Sequence, residues 1–321
     1  MAAKTNALTR EQELKKRSTM SLIRSFLPVA GLIVVFLVFN ALTKGNMFRS
    51  MSLVMSQIYV TMIASTGVFF IMTMGGLDFS QGSILGMSSI VVCMVSKYNI
   101  PLAVVAGIAT GAAIGALNGF FYVNRKIKSF IVTICTMFLF RGIIKYLTSS
   151  APVAGSARLV LMNNDRLKLT CTLVVVVIAL IAFNFTRFGI SLKAIGAGEK
   201  AAKFAGIRTD RIKFLIYMLA GAITGFAAFI NVIKVGSVTA SGGNQLETQI
   251  LIALVLGGMP ISGGAKARYL NVIIGSLLYI VLNSGLAMLG LTTQTMQLIQ
   301  GVVFLVFVAV FADRQSLQII K

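Results

Sequence analysis

Ten long apolar runs constrain the fold of this 321-residue sequence more than any other feature. A helix needs about 20 apolar residues to cross the hydrocarbon core of a bilayer, and most of the runs reach or approach that length. The eighth and ninth are the least regular, because the eighth is short and Pro260, with the glycines around it, allows a broken or re-entrant segment. The pattern predicts an all-α polytopic membrane protein with about ten transmembrane helices, some of them broken or re-entrant. The runs cover residues 25–43, 51–74, 79–96, 101–123, 130–148, 169–186, 212–233, 246–260, 269–288 and 295–312.

The positions of the lysines and arginines indicate how these helices are oriented. With both termini placed in the cytoplasm, 20 of these residues fall in cytoplasmic segments and seven in outside segments. Positive side chains favour the cytoplasmic side of a membrane, so both termini are predicted to be cytoplasmic. The predicted organisation is a basic N-terminal tail (1–24), a transmembrane domain (25–312) with a cytoplasmic loop at 187–213, and a C-terminal tail (313–321).

Composition and motif content exclude several classes of function. Hydrophobic residues make up 57% of the chain and charged residues 12%, with a mean hydropathy of +0.91, which is typical of polytopic membrane proteins. The net charge of +21 is spread over short loops, so nucleic-acid binding is rejected. The sequence has no histidine and only eight dispersed acidic residues, so no metal site, cofactor or acid–base catalysis is predicted. The cysteines lie in or at the edge of apolar runs, where cysteine acts as a small hydrophobe: Cys93, Cys135 and Cys171.

Two further features separate this chain from a self-contained pump. The sequence contains no G-x-x-x-x-G-K-[ST] motif, so no P-loop nucleotide site is predicted, and an ATPase that drove the protein would be a different chain. The longest predicted outside loop spans residues 149–168, which is too short for an extracytoplasmic domain. Substrate capture is therefore expected within the membrane or on another protein.

The loop at residues 187–213 is the one long polar interruption in the second half of the chain. Within it, Gly198 and Gly206 bracket EKAAKFA, a run of good helix formers, and Gly206 can adopt the left-handed conformation that ends a helix. A helix of about two turns is predicted, with Ala201 and Ala205 one turn apart and Ala202 beside them. A partner backbone could approach this small-residue strip closely. The alternative is an amphipathic loop on the lipid headgroups, with its lysines paired to anionic lipid.

Two glycine-rich breaks interrupt the apolar runs. In the first, MGGLDFSQGSILG at residues 74–86, Asp78 is interpreted as the N-cap of the third helix, with Ser80 and Ser83 in its first turns. This break either lines a substrate path or simply starts a helix. The second, GGMPISGG at residues 257–264, follows the pattern of the first 182 positions later, which indicates a parallel internal repeat. There, Pro260 is placed where a helix ends and Ser262 is expected to cap the next. The predicted break residues are Gly75, Gly76, Gly82, Gly257, Gly258, Pro260, Gly263 and Gly264.

Small and polar residues inside the runs have competing interpretations. Glycines recur every fourth residue at Gly107, Gly111, Gly115 and Gly119, and again at Gly221 and Gly225, which favours close helix packing over substrate contact. Polar side chains in lipid need a partner or water, so they lie either on a translocation path or in interhelical hydrogen bonds. Arg141 and Lys145 are expected to snorkel, and Glu247 to lie near the outside mouth and cap the eighth run. The polar candidates are Gln57, Asn118, Asn231, Asn283 and Glu247.

Three sets of residues carry a resemblance to a known family. GGLDFSQG resembles the G-G-[IL]-D-[LF]-S-x-G signature of ABC importer permeases of the ribose and monosaccharide type, and GGMPISGG resembles an element between their late spans. The order G-x-x-x-x-A-A-x-x-x-G-I in the loop is similar to the cytoplasmic coupling loop of that family. The resemblance covers residues 50–312, and Gln81 departs from the family pattern, which has a small or apolar residue there.

The resemblance implies a function, a set of partners and candidate residues. It implies a permease subunit in a bacterial inner membrane that moves a monosaccharide by alternating access, with a separate ABC ATPase subunit, an extracytoplasmic sugar-binding protein and a second permease subunit. The candidate path residues are Asp78, Ser80, Asn118 and Asn283. The residues implied to seat the ATPase and transmit its closure are Gly196, Gly198, Glu199, Ala201, Ala202, Ala205, Gly206 and Ile207.

Three alternatives remain open. A nucleoside or branched-chain amino acid ABC permease would share the glycine-rich breaks and a similar loop. An ion-coupled secondary transporter would also use broken helices, but it requires an acidic or histidine relay, for which the chain offers only Asp78 and Glu247. A non-transporting scaffold is disfavoured by the many helix breaks.

Overall fold

The computed structural model describes residues 28–311. The predicted tails, 1–24 and 313–321, and the outer ends of the first and last runs lie outside the described residues. Six helices in the described part are long and apolar enough to cross a membrane. One of these, Met51–Thr73, is divided at Gln57 into two parts, which are called α3 and α4 here. The long helices are α3 (Met51–Ser56) with α4 (Ile58–Thr73), α6 (Ile100–Asn124), α7 (Ser129–Leu147), α9 (Asp165–Phe185), α12 (Thr209–Val235) and α14 (Leu270–Met288).

The remaining elements are the other apolar helices and the connections. Four of them are apolar helices that coincide with predicted runs: α1 (Pro28–Leu42), α5 (Gln81–Ser96), α13 (Leu246–Leu256) and α15 (Thr293–Phe311). The others form connections: α2 (Asn46–Arg49), α8 (Ala157–Leu161), α10 (Arg187–Ala197), α11 (Glu199–Phe204) and the strands β1 (Val153–Ala154) and β2 (Ser237–Val238). The helices agree with the predicted all-α membrane class. The crossing of all ten runs and the cytoplasmic placement of the termini remain predictions.

The helix α4 forms the centre of the bundle. Every residue from Ile58 to Thr73 is buried except one, whereas the peripheral helices α7 and α9 bury only one face. On α7 and α9, large apolar side chains point outward; for example, Phe138 is 64% exposed and Ile178 is 62% exposed. A helix that is apolar on its exposed face needs lipid or another apolar surface there. The distribution of exposure is therefore that of a bundle surrounded by lipid.

The glycine stripe of α6 packs against α12. A Cβ atom added to Gly111 would lie 2.1 Å from the carbonyl oxygen of Gly221, and one added to Gly221 would lie 2.1 Å from the carbonyl oxygen of Gly111. Gly107 and Gly225 face each other in the same way one turn further along. Only residues without a side chain allow two helix backbones to come this close. The packing interpretation of the stripe is confirmed.

The eighth run forms a broken segment and not a continuous helix. Its helix, α13, has 11 residues and rises about 16 Å, roughly half the thickness of the hydrocarbon core. The chain before it runs along α5 without helical structure, so closely that a Cβ on Gly243 would lie 2.0 Å from the carbonyl oxygen of Gly82. The residues of this stretch, 239–245, are exposed or half-buried, and Gly243 is a point at which it contacts α5.

The loop at residues 149–168 is more ordered than the sequence indicates. Its strand β1 pairs antiparallel with β2, in a register that places Val153 opposite Val238. The helix α9 begins at Asp165, four residues before the predicted start of the sixth run, because the Asn164 side chain accepts a hydrogen bond from the Arg166 N–H and caps it. This short two-stranded pairing joins the loop before α9 to the end of α12.

We expect Gly111→Ala to destabilise the protein and Gly142→Ala to leave it stable. Alanine favours a helix over glycine by about 1 kcal/mol at either site, but only the Gly111 methyl group would collide with a neighbouring backbone. A Cβ on Gly142 has no atom within 4 Å. Thermal unfolding of the detergent-purified protein measures the difference, and equal midpoints for the two variants would contradict the packing described.

Candidate coupling site and intramembrane polar network

The predicted short helix is present as α11, six residues from Glu199 to Phe204. Ala205 is its C-cap residue, and the next residue, Gly206, has a φ of 83° and stops the helix. The Gly206 N–H donates to the Lys203 carbonyl (3.1 Å) and the Ile207 N–H donates to the Ala202 carbonyl (3.1 Å). This pair of hydrogen bonds is the Schellman ending, which requires the left-handed conformation that glycine adopts at little cost. The predicted helix and its glycine stop are confirmed.

The exposed face of α11 differs from the predicted alanine strip. Ala202 is only 4% exposed and faces the protein, so its place in the strip was wrongly predicted. Ala201 and Ala205 are exposed, and Phe204 between them is 93% exposed. Residues three and four positions apart share one side of a helix, so Ala201, Phe204 and Ala205 form one surface, called the docking face here. Phe204 was not predicted to belong to this face, although an aromatic residue between lysines and alanines was a visible signal.

The loop before α11 is also helical, which the sequence analysis did not predict. The helix α10 begins after Thr186, whose hydroxyl accepts a hydrogen bond from the Phe188 N–H (3.2 Å). It buries Leu192 and Ile195 against the bundle. The periodicity of these apolar residues was obscured by the neighbouring charged residues. The loop at residues 187–213, predicted to be cytoplasmic, therefore contains two consecutive helices that meet at Gly198.

The end of α10 touches both glycine-rich breaks. A Cβ on Gly196 would lie 2.1 Å from the Thr73 carbonyl oxygen and 2.6 Å from the Gly264 nitrogen. The Gly264 N–H donates a hydrogen bond to the same Thr73 carbonyl (2.8 Å). A Cβ on Gly263 would lie 2.3 Å from the Met72 carbonyl oxygen. This contact of three backbones, at Thr73, Gly196, Gly263 and Gly264, is called the glycine junction here.

The two breaks share a helix ending, but their register differs from the predicted one. At the first break the Gly75 N–H donates to Met72 and the Gly76 N–H to Ile71; at the second, the Gly258 N–H donates to Val255 and the Met259 N–H to Leu254. The left-handed glycines are Gly75 and Gly258, with φ values of 81° and 82°. The equivalent positions are therefore 183 residues apart and not 182.

The residues after the second break do not act as predicted. The helix α13 ends at Leu256, so Pro260 lies beyond the helix end and does not mark it. The next helix, α14, begins at Leu270, and Ser262 is too far away to cap it. Gly257 instead packs against α14, where a Cβ would lie 2.0 Å from the Asn271 carbonyl oxygen. The second break is thus a longer loop than the first.

Asp78 lies at the centre of a buried polar network in the first break. Its Oδ1 accepts hydrogen bonds from the Ser80 N–H (2.8 Å) and hydroxyl (2.6 Å), and its Oδ2 accepts one from the Gln81 amide (2.7 Å). The helix α5 starts at Gln81, with Ser80 at the N-cap position. The prediction that Asp78 is the N-cap was wrong, because Asp78 folds the turn before the helix. Both Asp78 and Ser80 are buried.

The network extends to two other helices. The Asn118 amide nitrogen on α6 donates to the Ser80 hydroxyl (2.8 Å), and the Thr224 hydroxyl on α12 donates to the Gln81 side chain. The side-chain carbonyl oxygen of Asn118, Oδ1, is buried and has no hydrogen-bond partner within the described residues. Gln81, the departure from the family pattern, thus connects Asp78 to α12. Of the four predicted path residues, the structure brings Asp78, Ser80 and Asn118 together, whereas Asn283 accepts a hydrogen bond from Gln300 on α15 (2.9 Å).

Side chains of α7 and α12 satisfy the backbone of the first break. The Leu77 N–H donates to the Ser129 hydroxyl (3.2 Å) and the Phe79 N–H to the Thr133 hydroxyl (3.2 Å). The Tyr217 hydroxyl donates to the Leu77 carbonyl (3.3 Å). In a membrane, unpaired backbone groups cost several kcal/mol each, so these contacts stabilise the break. No local pattern in the sequence identifies these three side chains as its partners.

Arg141 does not snorkel as predicted. Its guanidinium group forms an ion pair with Glu247 in the first turn of α13. A Cβ on Gly82 would lie 2.1 Å from the second carboxylate oxygen of Glu247, so this carboxylate lies against the start of α5. A buried acid and a cationic side chain pair in this way because neither can reach water at low cost. Among residues 28–311, no group of three or more His, Cys, Asp or Glu side chains is placed to hold a metal ion.

Comparison with known proteins gives consistent matches over most of the chain. The family model described as branched-chain amino acid transport system / permease component matches residues 50–308. The ribose import permease protein RbsC of Escherichia coli strain K12 is 31% identical over 288 residues, which cover 86% of this chain and 88% of that protein. RbsC of Bacillus subtilis strain 168 is 30% identical over 325 residues, covering 98% and 99%. The galactose/methyl galactoside import permease protein MglC of Escherichia coli strain K12 is 27% identical over 328 residues, covering 92% and 96%.

No solved structure matches this chain. The matched region contains both glycine-rich breaks and the two helices of the cytoplasmic loop. The resemblance to ABC importer permeases of the ribose and monosaccharide type is therefore confirmed. The chain belongs to the family of branched-chain amino acid transport system permease components.

Proposed function

We propose that this chain is the membrane-spanning permease subunit of an ATP-driven importer of a monosaccharide. The observation that carries the proposal is the glycine junction, where the cytoplasmic loop touches both helix breaks through backbone atoms. The names of the similar proteins supply the substrate class, because they are import permeases for ribose, galactose and fructose. The chain itself is a transport subunit, and ATP is hydrolysed by a separate ATPase subunit.

The docking face is the surface on which the ATPase subunit sits. A fully exposed aromatic side chain is typical of the anchor at the centre of a protein interface, and the flanking alanines let the partner approach closely. The helix α11 carries this face and directly follows α10, whose end lies in the glycine junction. Because the junction consists of backbone atoms packed too closely to admit a Cβ, a displacement of α10 moves the end of α4 and the loop after α13 together.

Alternating access then follows from a rearrangement at the two breaks. The network around Asp78 holds the first break closed. When the break opens, the Ser80 hydroxyl and the Asn118 side-chain amide become exposed to substrate. Sugars present hydroxyl groups that such side chains bind. A second permease subunit completes the pathway, and an extracytoplasmic binding protein delivers the sugar. The chain is placed in the bacterial inner membrane, with the docking face in the cytoplasm.

The contacts of the two buried carboxylates, Asp78 and Glu247, disfavour an ion-coupled secondary transporter. Asp78 accepts three hydrogen bonds from groups close in sequence, and Glu247 is paired with Arg141. Both carboxylates lie near the start of α5, but each is held by its own partners, and no hydrogen bond between described residues joins the two into a relay. A branched-chain amino acid or nucleoside substrate is the alternative within the family, and a thermal-shift screen of the partner binding protein against pentoses, hexoses, nucleosides and amino acids distinguishes them.

We expect Phe204→Ala to weaken binding of the ATPase subunit at least tenfold, because interface anchors contribute about 2 kcal/mol or more. Ala201→Glu should weaken it similarly by placing a charge on the docking face. Phe185→Ala is the matched control, because Phe185 is also an exposed phenylalanine (78%) but lies on a different helix, α9. Affinity is measured with purified ATPase and the permease in nanodiscs. Wild-type affinity in both docking-face variants would contradict the docking role.

Uptake should depend on ATP and not on a proton gradient. In proteoliposomes that contain the whole transporter, loss of the ATPase subunit is expected to stop uptake, since this chain has no nucleotide site of its own. A proton uncoupler at constant ATP is expected to leave uptake unchanged. The reverse pattern, with uptake that survives without the ATPase and stops with the uncoupler, would favour a secondary transporter.

Asn118→Ala should slow uptake about fivefold more than Asn283→Ala does, which corresponds to one hydrogen bond of about 1 kcal/mol. The side-chain oxygen of Asn118 has no partner within the described residues and can accept a hydrogen bond from a sugar hydroxyl. The side-chain oxygen of Asn283 already accepts a hydrogen bond from the Gln300 amide. Initial uptake rates at subsaturating sugar, normalised to folded protein, provide the measurement. Equal rates in the two variants would remove Asn118 from the path.

A further inference from the structure

A buried lysine at the start of α12 pairs with the coupling helix. The Lys213 Nζ lies 2.5 Å from a carboxylate oxygen of Glu199, the first residue of α11. The Lys213 side chain is 9% exposed and the Glu199 side chain 45%. Glu199 therefore turns one of its oxygens toward the bundle, although the resemblance places it among the residues that seat the ATPase.

From Lys213 a continuous series of contacts leads to the first break. The Lys213 ammonium lies over the ring of Tyr122 on α6, 4.9 Å from its centroid. The Tyr122 ring packs against the ring of Tyr217 on α12, with 5.5 Å between the centroids. Tyr217 is fully buried, and its hydroxyl donates to the Leu77 carbonyl next to Asp78. This series, from Glu199 to Leu77, is called the strut here.

A second ion pair joins the same two helices and provides an internal comparison. The Lys203 Nζ lies 3.3 Å from an Asp210 carboxylate oxygen, and the two side chains are 65% and 57% exposed. An exposed pair of this kind contributes little and is screened by salt. Removing Glu199 would instead leave the Lys213 ammonium, on a side chain that is only 9% exposed, in a poorly solvated place without its partner, which costs more. The Glu199–Lys213 pair is therefore the stronger tie between α11 and α12.

We infer that Lys213 is a positioning residue that links the motion of α11 to the first break through the strut. The strut and the glycine junction reach the break from two sides: the junction holds the end of α4, and the strut holds the Leu77 peptide that follows it. The inference rests on the proposed docking of an ATPase at α11. It adds that α12, which also carries Thr224 of the polar network, receives the same displacement.

The test uses the reconstituted transporter with its ATPase and measures two quantities: ATPase affinity and sugar molecules moved per ATP hydrolysed. Glu199→Gln is expected to keep wild-type affinity and to lower the transport-to-ATP ratio at least fivefold. Asp210→Asn, which breaks the exposed pair, is expected to leave both unchanged. Tyr217→Phe removes only the hydroxyl that reaches Leu77, with almost no change in volume, and is expected to lower the ratio as Glu199→Gln does.

The outcomes separate the strut from the docking proposal. A ratio within twofold of wild type in both Glu199→Gln and Tyr217→Phe, with the ATPase bound, overturns the strut and leaves the docking face intact. Loss of affinity in Glu199→Gln also overturns it, because Glu199 would then contact the ATPase directly. If Glu199→Gln does not fold, Tyr217→Phe alone decides.

Discussion

The backbone hydrogen bond between the Gly264 N–H and the Thr73 carbonyl joins the two places where the helices of this protein break. Lipid offers no partner to an exposed peptide group, so a broken helix is stable only where other protein groups satisfy and cover its backbone. Here the cover includes Gly196 at the end of α10, which is close enough that even one methyl group would collide. The requirement that the breaks be covered thus brings the cytoplasmic loop into contact with both of them.

Much of the fold could be predicted from local sequence. The apolar runs predicted the helices because bilayer thickness sets their length, and Gly206 predicted the end of α11 because its stop depends on neighbouring residues alone. The glycine stripe on α6 predicted close packing because glycines four residues apart lie on one side of a helix and let another helix approach. Membership of a transporter family could also be predicted, since the motif GGLDFSQG is contiguous in the chain. The confirmed predictions therefore depend on residues near each other in sequence.

Several of the errors and omissions concern contacts between distant segments. The burial of Ala202, the pairing of Arg141 with Glu247 and the partners of the Leu77 and Phe79 amides depend on which helices become neighbours. A period of 3.6 residues identifies the faces of a helix but not which of them meets the bundle, so Ala202 was assigned to the wrong side. The register of the repeat was displaced by one because either glycine of a pair can be the left-handed one.

The central claim is that α11 and the loop after α13 move as one unit when the ATPase closes. Pulsed electron spin resonance between labels at Lys200 and Ile261, with the native cysteines replaced, measures it directly. The account predicts the same Lys200–Ile261 distance in the ATP-free and ATP-bound transporter, while the distance from Lys200 to a label at Tyr98, beyond the far end of α5, changes. A Lys200–Ile261 distance that changes as much as the reference distance would contradict the account.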